Sequence, residues 1–95
     1  MDTTLKYTNI IKEALNDLGV PFAVQDLRNI PVFDDEHKRY LLVTTGTDDG
    51  KQVHEIMCSI ELTPDNKVKI IYNNSDDDLA YTFKRRGIPP QDIIE

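Results

Sequence analysis

The stretch QVHEIMCSIELTPDNKVKIIY, residues 52–72, determines most of the predicted fold. Residues 52–62 alternate between apolar and polar side chains with the period of two that a strand shows, and residues 67–72 return with a similar pattern. Between them, Pro64-Asp65-Asn66 is typical of a turn. The stretch therefore predicts two antiparallel strands of one sheet.

The residues upstream extend this hairpin into a meander. Residues 39–45 predict a strand, and Asp49-Gly50 is a strong signal for the tight turn that joins it to the next strand. Further upstream, residues 22–27 predict an irregular first strand limited by Pro31, and Asp34-Asp35-Glu36 predicts a polar turn. The prediction is an antiparallel meander of three to four strands.

Helical patterns flank the meander. Residues 4–18 carry apolar side chains at helical spacing, with Thr3 or Thr4 as a cap and Gly19 as the end. Near the other end, Ser75 followed by Asp78 loosely matches a capping box, and Gly87 ends a short helix. Asp76-Asp77-Asp78 and Lys84-Arg85-Arg86 complement the two ends of its dipole. The predicted fold class is α+β, in one domain over residues 1–95.

The chain closes with an apolar, proline-stiffened segment, IPPQDII, at residues 88–94. Gly87 can adopt the left-handed conformation that ends a helix, so Ile88 should turn back towards Leu79 and Phe83. Pro89-Pro90 would hold an extended segment at low entropic cost. We expect a docked tail that delivers Ile93 and Ile94 to the sheet edge or to a neighbouring subunit.

Bulk composition limits the class of protein. Eleven Lys and Arg against seventeen Asp and Glu give a net charge of −6, which disfavours independent binding to DNA phosphates. No apolar run approaches the length of a membrane span, and the first residues lack the order of a signal peptide. Cys58 is the only cysteine, which fits a reducing compartment. We expect a cytoplasmic protein that binds neither membrane nor nucleic acid directly.

The predicted sheet is partly apolar on both faces. Strict alternation places His54, Ile56, Cys58, Ile60 and Leu62 on one face, with Val53, Met57 and Ser59 on the other; in the next strand Ile71 opposes Val68, Ile70 and Tyr72. Two short helices can cover one face, so the second face should meet another subunit or a partner. The alternative is that residues 22–31 fold over it. The predicted interface residues are Val53, Met57, Ile71, Ile88, Ile93 and Ile94.

No motif indicates catalysis or a bound cofactor. His54 and Cys58 would lie about 13 Å apart along one strand, too far for a shared zinc ion. GTDDGK, residues 46–51, lacks the spacing of a phosphate-binding loop. Asp76-Asp77-Asp78 lacks the alternating ligands of a calcium loop. We therefore expect no catalytic residue, no metal site, no cofactor and no enzymatic activity.

The order of elements and several motifs resemble the XisI family, the fdxN-element excision controlling factor proteins. The resemblance rests on YTNII at residues 7–11, PVFDDEHKRYLLV at residues 31–43, DNKVKI at residues 65–70 and GIPPQDII at residues 87–94. It implies a small α+β accessory protein that acts beside XisH, a protein with endonuclease-like features, in controlled excision of a DNA element. The family has no attributed catalytic residues.

Charge, the two-sided sheet and the resemblance together favour a non-enzymatic regulatory protein. Its predicted partners are a XisH-like nuclease and further copies of itself. One alternative is an accessory recombination protein that binds DNA directly, which the acidic charge disfavours. Another is a small-ligand-binding α+β domain that uses the sheet face, which the lack of converging polar groups disfavours.

Overall fold

The computed structural model describes residues 3–19 and 26–95. Its helices are α1 (Thr3–Leu18) and α2 (Leu79–Arg85), and its strands are β1 (Asp26–Asp34), β2 (Arg39–Asp48), β3 (Lys51–Leu62), β4 (Val68–Asn73) and β5 (Ile93–Ile94). The strands form one sheet in the order β1-β2-β3-β4-β5, antiparallel except for the parallel pair β4–β5. The predicted α+β fold, with a four-stranded meander between two helices, is confirmed.

The first strand differs from its prediction. β1 runs through Pro31, which pairs with Leu42, and continues to Asp34. Pro31 does not limit the strand, because β1 lies at the edge of the sheet, where a residue without an N–H group is tolerated. Residues 22–25 of the predicted first strand lie outside the described part of the chain.

The predicted tight turns form with left-handed backbone at the expected positions. Asp49 and Gly50 have φ angles of 54° and 79°, which is the type I′ geometry that matches the twist of a hairpin. Asn66 has a φ of 66° in the turn between β3 and β4. Both hairpin predictions are confirmed.

Helix α1 lies on one side of the sheet, which we call the inner face. Tyr7, Ile11 and Leu15 on its apolar stripe are at most 3% exposed. They pack in one core with Tyr40 and Leu42 of β2 and with residues of the later elements. The remaining core members are Ile10, Ala14, Cys58, Ile60, Leu62, Val68, Leu79, Phe83 and Ile88.

Helix α2 begins three residues later than the loose capping box predicts. The Asp78 carboxylate accepts a hydrogen bond from the Tyr81 N–H at 3.1 Å, so Asp78 is the N-cap. Ser75 instead donates its hydroxyl to the side-chain oxygen of Asn73. The capping-box prediction was wrong because Ser75 lies in the preceding turn and the Asp78 carboxylate takes the N-cap position.

The end of α2 forms as predicted. Gly87 has a φ of 113°, its N–H donates to the Lys84 carbonyl, and the Ile88 N–H donates to the Phe83 carbonyl. This is the paired hydrogen bonding of a Schellman motif, which turns the following residue back onto the helix. Ile88 accordingly packs in the core, 1% exposed.

The tail then follows a fixed path to the sheet. Pro90–Asp92 form one turn of 3₁₀ helix, and β5 pairs Ile93 with Val68 and Ile94 with Lys69. Ile93 packs against the core, whereas Ile94 is 39% exposed. Of the two predicted destinations for this segment, the sheet edge is the one observed.

Candidate protein-interaction surface

An irregularity in β3 determines which side chains leave the core. Leu42 pairs with Cys58, but the next residue, Val43, pairs with Ile56, so Met57 is an extra residue in the ladder. Such a bulge reverses the alternation of side chains along the strand. Ile56 therefore lies on the face opposite Cys58 and is 50% exposed. The prediction that Ile56 and Cys58 share a face was wrong for this reason.

A second irregularity acts in the same way on β4. Ser59 pairs with Tyr72 and Ile60 pairs with Ile70, so Ile71 is the extra residue. Tyr72 consequently joins the side of Ser59 and is 49% exposed, as is Ile71. Strict alternation places Tyr72 beside Val68 and Ile70, and this prediction was also wrong.

The two bulges and the pairing of β1 create an apolar surface opposite the helices. We call it the outer face. It consists of Ile30, Val32, Leu41, Val43, Ile56, Ile71 and Tyr72, of which all but the half-buried Leu41 and Val43 are 38–50% exposed. Part of this surface is a shallow groove, with His54 and Ser59 among its lining residues. Exposed apolar area that is contiguous in this way is uncommon on a monomer and typically marks a site of protein contact.

A row of charged residues borders the apolar part of the outer face. Pairing runs from Asp34 to Arg39, from Arg39 to Glu61 and from Glu61 to Lys69, one residue on each of four strands. The Arg39 guanidinium and the Glu61 carboxylate form an ion pair at 2.7 Å. With Asp26 and Arg28 at the far end of β1, the face carries three cations and three carboxylates. The excess of acid in this chain therefore lies elsewhere.

The acidic surplus is concentrated in short exposed segments. Asp76-Asp77-Asp78 precede α2, Asp48-Asp49 lie at the tip of the β2–β3 hairpin, and Asp35-Glu36 lie in the turn after β1. In that turn the Asp34 carboxylate accepts hydrogen bonds from the N–H groups of Glu36 and His37 and pairs with the His37 ring at 2.7 Å. These contacts, first of all those to His37, lower the pKa of Asp34.

This turn also brings three groups together that can ligate metals. Atoms of Asp34, Glu36 and His37 lie within 4.8 Å of one another. The Asp34 carboxylate already serves the turn itself, through its backbone hydrogen bonds and its pair with His37. The arrangement is explained by the stability of the turn.

The predicted interface residues lie in different environments. Ile71 belongs to the outer face, and Ile94 is exposed on β5. Val53 pairs with Gly46 near the hairpin tip and is half-buried. Met57 and Ile93 pack against the chain's own core and Ile88 lies within it, so these three offer little surface to another molecule.

Six members of the outer face are absent from the predicted interface residues: Ile30, Val32, Leu41, Val43, Ile56 and Tyr72. The first two alternate with Asn29, Pro31 and Phe33 in β1, a strand pattern that Pro31 obscured. For Ile56 and Tyr72 the sequence carries no local signal, because bulges depend on how the neighbouring strands pair.

His54 and Cys58 lie on opposite faces of the sheet. His54 lines the groove on the outer face, while Cys58 is fully buried and its thiol donates to the Asn73 side-chain oxygen at 3.5 Å. Burial raises the pKa of the Cys58 thiol, which keeps it protonated and unreactive. The two side chains do not converge on a common substrate or ion.

A polar contact near the N-terminal end of α1 holds the tail in place. The Tyr7 hydroxyl donates to the Asp92 carboxylate, which the Lys67 ammonium also contacts at 3.2 Å. Burial, together with this hydrogen bond, raises the pKa of Tyr7 to about 12. The hydrogen bonds from Tyr7 and then Lys67 lower the pKa of Asp92. The contact joins α1, the turn before β4 and the tail.

Comparison with known proteins identifies the family of this chain. A profile of the family described as XisI protein matches residues 1–95. The chain belongs to the XisI family. No curated protein matches it. None of the helices in residues 3–19 and 26–95 combines the length and apolarity that crossing a membrane requires.

Solved structures related to XisI have the same fold. A XisI-like protein from Anabaena variabilis superimposes with a TM-score of 0.85 at 19% identity, over 97% of this chain and 84% of that one. The fdxN element excision controlling factor XisI from the same organism superimposes with a TM-score of 0.78 at 22% identity, over 99% of this chain and 91% of that one. The fold predicted from the XisI resemblance is thereby confirmed.

Proposed function

We propose that this chain is a non-enzymatic accessory protein that acts in controlled excision of a DNA element by binding a XisH-like nuclease. Membership of the XisI family supports the process, since a member of like fold is named an fdxN element excision controlling factor. The proposed mode of action rests on the distribution of charge. The protein is strongly acidic, and its carboxylates are concentrated in exposed segments that leave the outer face nearly neutral.

An acidic protein suits a partner that binds DNA. A nuclease needs a basic surface for the phosphate backbone, and exposed Asp and Glu side chains can occupy that surface or stabilise the domain around it. Opposite net charges also accelerate the encounter of the two proteins, by an amount that falls as salt rises. Binding through the acidic segments requires neither a cofactor nor a catalytic residue from this chain.

The proposal is tested by measuring the association of the chain with a purified XisH-like nuclease from the same genome. The informative variant replaces Asp48, Asp49, Asp76 and Asp77 with Asn and leaves the N-cap Asp78 in place. Asn tolerates the left-handed backbone at position 49. We expect association at low salt to slow by about tenfold or more, the range that charged surfaces control. The matched control, Lys84→Gln with Arg85→Gln, removes exposed cations and should not slow association.

Stopped-flow or surface plasmon resonance measurements at two salt concentrations separate the outcomes. If the native chain does not bind the nuclease at low salt, the proposed partnership is wrong. If the cation variant loses as much as the acidic variant, the acidic segments are not the contact.

A further inference from the structure

The charged row at the border of the outer face has a regular order of signs. Across β1, β2, β3 and β4 the row reads Asp34, Arg39, Glu61, Lys69, that is, negative, positive, negative, positive. Because the row has four charges of alternating sign, reading it from β4 to β1 gives the opposite sign at every position. Two such rows laid face to face in opposite order therefore place every charge against its complement.

One symmetry operation produces this arrangement. A two-fold axis that runs along the strands, midway between β2 and β3 and just above the outer face, lays β1 over β4 of a second copy and β2 over its β3. Asp34 then faces Lys69 of the second copy, and Arg39 faces its Glu61. We propose that the outer face is the interface of a homodimer with this two-fold axis. The proposal stands whether or not the chain binds a nuclease.

The apolar rows obey the same operation. The row next to the charges runs Val32, Leu41, Ser59, Tyr72, so Val32 would cover Tyr72 of the second copy. In the following row Val43 pairs with Ile56 in the chain, so Val43 would cover Ile56 of the second copy. Val32 meets Tyr72 and Val43 meets Ile56, while Leu41 lies over Ser59 of the second copy, in the aligned orientation of two sheets packed about 10 Å apart.

The charge around this contact is close to balanced. Aligned sheet packing leaves the acidic segment before α2 outside the interface, and the face itself carries cations and carboxylates in balance. The axis brings the β2–β3 hairpin tips of the two copies near each other, where Lys51, the ladder partner of Asp48, offsets part of the acidic charge. A patch four strands wide and about six residues long measures on the order of 20 Å by 20 Å. That footprint is smaller than the ~800 Å² per partner of a standard interface, so we expect a reversible dimer in the micromolar range.

Sedimentation velocity with the full chain tests whether a second copy binds the outer face. Concentrations of about 1–100 μM are suitable because this range brackets a micromolar dissociation constant. We expect a monomer–dimer equilibrium for the native protein. The informative variant is Ile56→Asp, which places a charge at the centre of the outer face, and we expect at least a tenfold weaker dimer. The matched control is Leu5→Asp, at a residue of α1 that is 59% exposed and distant from the face. Far-ultraviolet circular dichroism verifies that both variants fold.

Cross-linking tests the position of the proposed two-fold axis. Val32→Cys and Tyr72→Cys are prepared as separate proteins and treated with a short bismaleimide; the native Cys58 is fully buried. We expect covalent dimers when the two variants are mixed and far fewer with either alone, because in the dimer β1 of one copy covers β4 of the other. Cross-linking of Val32→Cys to itself would overturn this axis.

The dimer proposal fails if the native chain is monomeric over the whole concentration range. It also fails if Ile56→Asp leaves the dimer unchanged, or if Leu5→Asp weakens it equally. If the chain is monomeric and Ile56→Asp abolishes binding to the nuclease, the face belongs to that partner, and the homodimer is excluded.

Discussion

Tyr7 and Asp92 are 85 positions apart in the sequence, and their side chains meet where the tail passes α1. The contact shifts the pKa of both side chains, so the ionisation of each is linked to folding. The raised pKa of Tyr7 means that its contribution to stability is complete below pH 10 and is lost as pH rises towards 12. The lowered pKa of Asp92 means that its contribution is present above the usual carboxyl value of 3.8 and is lost as pH falls below it.

Replacing Tyr7 by Phe should lower the melting temperature at pH 7 by roughly 4–8 °C, the effect of one lost hydrogen bond in a domain of this size. The loss of stability between pH 10 and pH 12 should become smaller, because the group that titrates there is gone. Thermal melts across pH measure both effects. Tyr81→Phe is the control, since Tyr81 is 59% exposed; equal melting of the two variants would show that the tail contact contributes nothing.

At the scale of the elements, local signals account for most of the fold. Asp49-Gly50, Pro64-Asp65-Asn66 and Gly87 each form the turn or helix end that their types favour, so the strand order follows from the sequence. Local signals fail where a neighbouring element intervenes. Pro31 lies inside β1 because that strand is at the edge, and Ser75 is held by Asn73 before it can cap α2.

Substitutions in the tail test which contacts hold β5 in place. Ile93 packs against the core and pairs with Val68, whereas Ile94 is 39% exposed. Burying an Ile side chain completely contributes about 1.5–3 kcal/mol, and a half-buried one contributes a fraction of that. Ile93→Asp should therefore lower the melting temperature by roughly 4–8 °C or more, and Ile94→Asp by much less. The double variant should behave like Ile93→Asp. Parental melting of Ile93→Asp would mean that the tail is free in solution.

At the scale of the whole molecule, the apolar outer face could be predicted only in kind. The expectation of a second apolar face is consistent with the seven residues of the outer face, yet of the six residues predicted as interface only Ile71 belongs to it. Two bulges moved Ile56 and Tyr72 outward. Each depends on contacts between distant segments, which a periodic pattern does not contain. The fold as a whole does not depend on such sequence detail, since XisI-related structures share it at only 19–22% identity.

We propose that this member of the XisI family acts on DNA through a protein partner. Fluorescence anisotropy of a labelled DNA duplex at about physiological salt, with and without a XisH-like nuclease, tests this most directly. With a net charge of −6, the chain alone should leave the anisotropy of the duplex unchanged. Added to the nuclease–DNA complex at the same concentrations, it should change the anisotropy by displacing or stabilising the nuclease. Tight, strongly salt-dependent binding of the chain alone to DNA, or no effect on the complex, would contradict this proposal.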